Sequence, residues 1–596
     1  MNEYDENTAP LRNDSLMGKT LKSIRNGLRT NRKKYIYLGI ISVLAGFIAG
    51  ALFIQSFLLL LGLCEKIRFA PAVVITCFIR GGWFIGIPFM LVMFLTVSAM
   101  WASGEKPYHY DKKRGFYIAD SGAGGSAGMM SPDDEDQIFI KSKTIEKNTG
   151  NILGRNEQGL LCALRSIRFI NDNFCIFGTP GSGKSIAQVL VHIYQTIRRG
   201  ESLVITDSKG TIYEKTAYIA QKMGYVIRVL NLRPHEMKCS DGVQFMKTIQ
   251  NRIGAAVMAN IIIENTKKGE RQDFWDVAAN NLLTALIMHV RFSNLYSDDD
   301  KNLATVYQIL VENDLPSLLR LFSTFMPGQP GYESAKTFIG SPDAVKSSAY
   351  QGLMLKLFLF QQPEVKDILS HDDIDFRAPM SQKCIYYVII PDTDDTTKFL
   401  SCLFFTTLFN ELMDEADRIY HGDPPLKVQV IMDEFASTGS IPIFDKILSV
   451  ARSRGIKIEF ILQNLPQLQA MYPSVWETII GDCSVWMVLS ARDNTTLRYI
   501  MENAGGITQY TESVSTNTST NQKSVSASLE RRNAITTDDI SNMRDDELYV
   551  SIQGRHRLKY LNKYMAWEHP LYKVVHEHGH ILHTDERRPA WRGEDA

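Results

Sequence analysis

The stretch Gly178-Thr179-Pro180-Gly181-Ser182-Gly183-Lys184-Ser185 fits G-x-x-x-x-G-K-[ST], and it constrains the fold of everything around it. Such a loop works only where a buried strand delivers it and a helix begins at its end. Phe174-Cys175-Ile176-Phe177 is a short apolar run suited to a buried strand, and residues 186–199 read as a helix. The glycines let backbone N–H groups turn inward round a β-phosphate, with the positive end of the helix behind them. Lys184 would reach the β- and γ-phosphates, and Ser185 would offer its hydroxyl to Mg²⁺. A chance match in a loop would lack the strand and the helix. The expectation is an ATP and Mg²⁺ site.

At 596 residues the chain is too long for one hydrophobic core, so two or three domains are expected. Lysine plus arginine equals aspartate plus glutamate at 65 each, so overall charge argues neither for nucleic acid nor against it. The eight cysteines form no C-x-x-C pair and sit mostly in apolar runs. That pattern fits small buried thiols in a reducing compartment, not disulfides or a zinc site.

Residues 1–34 are polar and end in a basic run, Arg25, Arg29, Arg32, Lys33 and Lys34. The segment 35–101 then carries two uncharged apolar stretches, with spans expected at about 36–63 and 81–101. Between them lie Glu65-Lys66-Ile67-Arg68, Pro71 and Arg80. Positive charge before the first stretch and Lys112-Lys113-Arg114 after the second put both flanks in the cytoplasm. A two-helix transmembrane hairpin in a lipid bilayer is expected. Residues 102–137 read as a linker, flexible at Ser121-Gly122-Ala123-Gly124-Gly125-Ser126-Ala127-Gly128 and solvated at Asp133-Asp134-Glu135-Asp136.

From 138 the pattern turns globular. Strands alternate with helices over 138–242, including a strand at 202–206 that ends in Asp207, which indicates a doubly wound, mainly parallel α/β sheet. Over 243–370 the strand signal disappears, and 274–291, 304–311, 316–325 and 347–360 read as helices, so an all-α domain is inserted there. The α/β pattern resumes over 371–570, with strands at 384–390, 427–432, 457–462 and 484–489. Residues 508–530 are rich in Ser, Thr and Asn without hydrophobic period and read as a mobile loop or irregular hairpin. Residues 571–596 form a charged C-terminal tail.

A phosphate-binding loop needs a distal carboxylate at a strand end, and Lys427-Val428-Gln429-Val430-Ile431-Met432-Asp433-Glu434 has that shape. Asp433 would contact Mg²⁺, and Glu434 would orient or deprotonate the attacking water. Gln463 ends the next strand, where an amide can hydrogen-bond water or the γ-phosphate; polar residues also end strands merely to start a turn. Arg452 and Arg454 end the preceding helix, where one of them would complete a neighbour's site in a ring or simply favour the helix C-terminus. Phe274-Trp275, at a helix start, is more in keeping with core than with recognition.

These residues resemble the TraG/TraD-type coupling proteins of conjugation and type IV secretion. The resemblance runs from the apolar hairpin nearly to the C-terminus. It includes Gly125-Ser126-Ala127-Gly128, Ile152-Leu153-Gly154, the loop at 178–185, Asp207-Ser208-Lys209-Gly210, Phe274-Trp275, Asp433-Glu434-Phe435, Ser453-Arg454-Gly455, Gln463-Asn464 and Ile535-Thr536. It implies a RecA-like P-loop ATPase, hexameric round a channel and anchored in the bacterial plasma membrane with both termini cytoplasmic. Its implied partners are a relaxase with its transferred single-stranded DNA, or protein substrates, the proteins of a type IV secretion channel to which these are delivered, and other copies of itself. It also implies nucleotide roles for Lys184, Ser185, Asp433, Glu434 and Gln463, and it favours Arg452 over Arg454 as the arginine acting in trans. One departure is that the family's Asp-Pro-Lys-Gly-Glu segment reads Asp207-Ser208-Lys209-Gly210-Thr211 here. Two other readings compete: an FtsK-like chromosome translocase, whose winged-helix tail has no counterpart here, and a docking scaffold that binds ATP with little turnover.

Overall fold

The computed structural model describes residues 32–103, 108–111, 115–119, 125, 127–167, 170–265, 274–391, 397–516, 523–553 and 557–578. The expected features at 1–31, Lys112-Lys113-Arg114, 121–124, Ser126 and 579–596 lie outside them. The chain divides into two units, one of residues 1–121 with 509–529 and one of residues 122–508 with 530–596.

The first unit holds the apolar hairpin and a small sheet. Arg32–Leu60 is one helix, and a second apolar helical stretch runs from Pro71 through Arg80 to Ser103 with a break at Gly81 (φ 139°). Both are long and apolar enough to cross a membrane. The second therefore starts ten residues earlier than expected and takes in Pro71 and Arg80, because Pro71 sits at the first helical position where its missing N–H costs nothing. The two helices meet at glycines spaced by four, Gly46 and Gly50 against Gly82 and Gly86. A Cβ on Gly82 would lie 2.7 Å from the Gly50 carbonyl oxygen, and one on Gly86 would lie 2.6 Å from that of Gly46. Backbone contact this close is how apolar helices pack where no hydrophobic effect drives them together. The sheet joins β1 (Tyr108–Asp111) and β2 (Phe116–Ala119) to β14 (Gly506–Thr516) and β15 (Lys523–Asn533) in the order β1-β2-β14-β15. Much of 508–530, expected as a loop or irregular hairpin, is therefore ordered strand. Its polar residues suit a ladder held mainly by backbone hydrogen bonds and give no hydrophobic period to read.

The second unit is built on a 13-stranded sheet. In chain order its strands are β3 (Gly128–Met129), β4 (Phe139–Ser142), β5 (Ile152–Arg155), β6 (Leu161–Leu164), β7 (Phe174–Phe177), β8 (Ser202–Asp207), β9 (Val226–Asn231), β10 (Cys384–Ile389), β11 (Val428–Met432), β12 (Ile456–Leu462), β13 (Val485–Val488), β16 (Glu547–Ile552) and β17 (Arg557–Asn562). The run β13-β7-β12-β11-β8-β10-β9 is parallel throughout. These strands are apolar for most of their length because both faces of the sheet are covered; every residue of β7, β8, β10 and β11 is buried. Beyond β13 the sheet continues antiparallel through β16, β17, β5, β6 and β4. Register places Phe177 opposite both Leu462 and Val488, and Met432 opposite both Phe460 and Thr206. The residues that follow these strands therefore emerge together at one carboxyl edge, where open α/β sheets bind ligands.

Between β9 and β10 the described elements are all helical: Arg252–Asn265, Phe274–Phe292, Leu303–Glu312, Leu315–Ser323, Tyr332–Ile339, Asp343–Lys356 and Pro363–Ser370, besides short single turns. Trp275 is 43% exposed, so the core expectation does not hold for that ring. The acidic run 133–136 is also not a solvated tether. Pro132–Ile138 is a helix whose Ser131 hydroxyl accepts the Asp134 N–H, and its first-turn carboxylates face the positive helix end. Glu135 is buried against Lys559 and Lys141.

Candidate active site

The loop at 178–185 leaves β7 at the carboxyl edge and turns on Gly181 (φ 82°) and Gly183 (φ 83°), backbone conformations that favour glycine. Its start is tied to the neighbouring strand by the Gly178 N–H on the Leu462 carbonyl (3.0 Å). Its Thr179 is tied to Ser490, just past β13: the Thr179 N–H donates to Ser490 Oγ (2.9 Å), and the two hydroxyls lie 2.6 Å apart. The helix expected over 186–199 is present, its first turn Ser185–Val189 a wide π-helical one that runs into the helix Leu190–Arg199.

Lys184 is 8% exposed, and its ammonium donates to the carbonyls of Gly178 (2.9 Å) and Thr179 (3.2 Å). Burial lowers its pKa, against the pull of Asp433 and Glu434. Ser185 Oγ donates to Asp433 Oδ2 at 3.0 Å, so residues 248 apart in sequence meet. Thr206 on the adjacent β8 holds the Asp433 backbone through Oγ1 on its carbonyl (2.6 Å). Burial raises the Asp433 pKa, with the Ser185 hydrogen bond and Lys184 opposing. Its second oxygen, Oδ1, is buried with no partner. A buried carboxylate oxygen without a donor, beside a hydroxyl and a lysine, fits a divalent cation and its phosphate ligand.

Glu434 follows at once, half-buried, with a left-handed backbone (φ 56°, ψ 57°) unusual for a residue with a side chain. Strain of this kind persists where surroundings impose it and clusters at working sites. Gln463 is half-buried directly after β12, beside the start of the loop. Its neighbour Asn464 has a structural task, capping the helix Leu465–Met471 by accepting the Gln467 N–H (3.1 Å).

Arg452 is not part of this cluster. It lies at the end of the helix Phe444–Ala451, before β12 begins, at the sheet edge opposite the loop. It is exposed and donates to the Ile167 carbonyl (3.2 Å), whereas Arg454 is ion-paired with Asp417 (2.8 Å). Asp207 also has a structural role. Its carboxylate accepts the N–H groups of Ile212 (2.8 Å), Tyr213 (2.9 Å) and Lys209 (3.2 Å), clamping the start of the helix Thr211–Lys222, and burial raises its pKa to about 6.

Sequence reasoning missed Ser490, Thr206 and Lys563, whose ammonium reaches the Ser182 carbonyl (2.9 Å). It also missed a buried chain behind the loop helix: His192 Nδ1 lies 2.7 Å from Glu459 Oε2, and Gln429 links that carboxylate to Thr196. Gln429, the one polar residue of β11, and Glu459, set between Ile458 and Phe460 in β12, were the available signal.

Among curated relatives, the conjugal transfer protein TraG of Escherichia coli is 23% identical over 359 residues, covering 56% of this chain and 55% of that protein. The type IV secretion system-coupling protein VirD4 of Bartonella quintana (strain Toulouse) is 22% identical over 307 residues, covering 50% and 47%. The chain thus spans about half the length of the curated relatives it matches. Among solved structures, the bacterial conjugative coupling protein TrwBdeltaN70 in its unbound monoclinic form has a TM-score of 0.51 at 15% identity, over 75% of this chain and 95% of that one. The plasmid coupling protein TrwB in complex with the non-hydrolysable ATP analogue ADPNP has a TM-score of 0.50 at 14% identity. At such identities the likeness shows the fold, that of a RecA-like P-loop protein. The model of the family described as Type IV secretory system Conjugative DNA transfer matches residues 135–580, well over half of the chain, and the protein belongs to that family.

Proposed function

We propose that this protein is a membrane-anchored ATPase coupling protein, which receives relaxase-bound single-stranded DNA or protein substrates and delivers them to a type IV secretion channel. The observation that carries the reading is the contact of Ser185 Oγ with Asp433 Oδ2 beside the unpartnered Asp433 Oδ1, at the mouth of the phosphate-binding loop. The loop N–H groups and Lys184 would hold the phosphates of ATP once Lys184 leaves the carbonyls it now bonds. Ser185 and Asp433 would hold Mg²⁺, which neutralises charge on the β- and γ-phosphates when bound. Glu434 takes the proton of the attacking water, and Gln463 orients that water or the γ-phosphate.

Arg452 points to assembly. Because it lies at the far edge of the sheet from its own loop, a nucleotide role for it would be at the site of another copy, which suits a closed ring with sites between subunits; we take the ring to be a hexamer. The helical region 243–370 then offers a surface for substrates. The two apolar helices anchor the chain in the plasma membrane of a bacterial cell as a multi-pass protein with both termini cytoplasmic. The test is deletion of the gene, complemented with wild type or Lys184→Ala and scored for transfer of a mobile element. Transfer should return only with wild type. Transfer surviving the deletion would favour a chromosome translocase, and full transfer with Lys184→Ala would favour a scaffold.

A further inference from the structure

Lys563 follows β17 directly, in the antiparallel arm of the sheet and about 380 residues from the phosphate-binding loop in sequence. Its side chain is 6% exposed, and its ammonium donates to two carbonyls, Ser182 (2.9 Å) at the apex of the loop and Asp545 (2.8 Å). Its own N–H donates to the Asp546 carbonyl (2.7 Å), so backbone on both sides of β16 and β17 fixes where the ammonium sits. Burial lowers its pKa, with Asp545 and Asp546 favouring the charge. No motif marks this lysine.

The consequence follows from peptide geometry. In a trans peptide the carbonyl and the next N–H point in opposite directions. Holding the Ser182 carbonyl toward Lys563 therefore turns the Gly183 N–H away from Lys563. Gly183, at φ 83°, has no side chain to restrict rotation of this peptide, so an outside contact has to set its orientation. A buried charge-assisted hydrogen bond is strong enough to do so.

We infer that Lys563 is a second lysine of the phosphate site, a positioning residue that fixes the Ser182–Gly183 peptide so that the Gly183 N–H faces the phosphates of a nucleoside di- or triphosphate. It rests on the nucleotide reading proposed above and adds that the C-terminal arm of the sheet, not the loop alone, presets the cradle. Its positive charge adds to that of Lys184 without competing for the same atoms, since Lys184 bonds Gly178 and Thr179.

The experiment uses the full chain in detergent, with binding of fluorescent ATP and ADP in the presence of Mg²⁺ and steady-state hydrolysis as readouts. Lys563→Met keeps the apolar stem and removes donor and charge, Lys563→Gln keeps a neutral donor, and Lys563→Arg keeps the charge. The Met variant should raise Kd for both nucleotides, and KM for ATP, about tenfold, the scale of one charge-assisted hydrogen bond. The loss should fall on KM more than on kcat, Gln should be intermediate, and Arg should recover most of the affinity. Gln is read in place of Met if the Met chain does not fold. A purely structural role would lower the active fraction, and so kcat, with KM unchanged, and that result overturns the inference. So does a set of three variants that bind within about twofold of wild type. Wild type that binds neither nucleotide removes the site reading itself, whereas wild-type binding matched by Lys563→Met removes only Lys563.

Discussion

His569→Phe should remove a specific share of the acid sensitivity of folding. His569 is fully buried, its Nδ1 accepts the Leu571 N–H (3.1 Å), and its ring lies 5.1 Å from that of Tyr194 on the helix behind the phosphate-binding loop. That hydrogen bond fixes the neutral tautomer protonated on Nε2, and a second proton on Nδ1 would displace the bond. Burial, helped by Arg198, lowers its pKa from 6.5 to about 3. Between those values the unfolded chain binds a proton that the folded chain does not. The stability it contributes is complete above pH 6.5 and is lost as pH falls, at ~1.4 kcal/mol per pH unit. Lowering the pH from 7 to 5 thus costs about 2 kcal/mol through this residue. Asp207 works in the opposite sense, since burial raises its pKa from 3.8 to about 6, and its contribution grows as pH falls from 6 toward 4. The two partly cancel in wild type. The informative quantity is therefore the difference between wild type and His569→Phe, from urea unfolding of the detergent-solubilised chain at pH 7, 6 and 5. The variant should gain about 2 kcal/mol on wild type across that range, whatever constant offset the larger ring imposes. Parallel stability profiles would mean that His569 takes up no proton on unfolding over this range.

Further predictions concern the ring, the loop and the apolar hairpin. Arg452→Ala should lower hydrolysis at least about 10³-fold, and mixing it with equally inactive Lys184→Ala should restore part of the activity, because each copy supplies what the other lacks; Arg454→Ala, which breaks an ion pair with half-exposed Asp417, should stay active. Ser490→Ala removes the acceptor of the Thr179 N–H and should raise KM for ATP about fivefold, the scale of one neutral hydrogen bond, measured by steady-state hydrolysis. Gly82→Val would force the Gly50 carbonyl aside and should cost about 1–3 kcal/mol in unfolding of the detergent-solubilised chain, while Gly39→Val, which meets nothing within 4 Å, should cost little.

The parts of the site legible in the sequence are those whose chemistry repeats with a fixed local spacing. Glycines at 178, 181 and 183 next to Lys184 and Ser185 need only one strand and one helix to be recognised, and Asp433-Glu434 needs only the apolar run before it. The parallel core was legible for the same reason, since strands covered on both faces are apolar for most of their length. What stayed hidden depends on contacts far apart in sequence. Ser490 and Lys563 are ordinary polar residues until register and the antiparallel arm bring them to Thr179 and Ser182. Among the described side chains of 509–513 and 526–530 none is buried, so there was no hydrophobic period to read. The acidic helix at 132–138 looked solvated because its partner lysine, Lys559, lies more than 400 residues away. The early start of the second apolar helix was masked by Arg80, which a charge-free window excludes.

We propose above that the loop at 178–185 and the carboxylates at 433 and 434 form one hydrolytic site. The most direct test is ATP binding and hydrolysis by the purified full chain, with and without single-stranded DNA, for wild type and Glu434→Gln. Wild type should hydrolyse ATP, faster with DNA. Glu434→Gln should bind ATP as tightly but turn it over at least about 10²-fold more slowly, the contribution of one general base. Hydrolysis by Glu434→Gln at the wild-type rate would contradict the account.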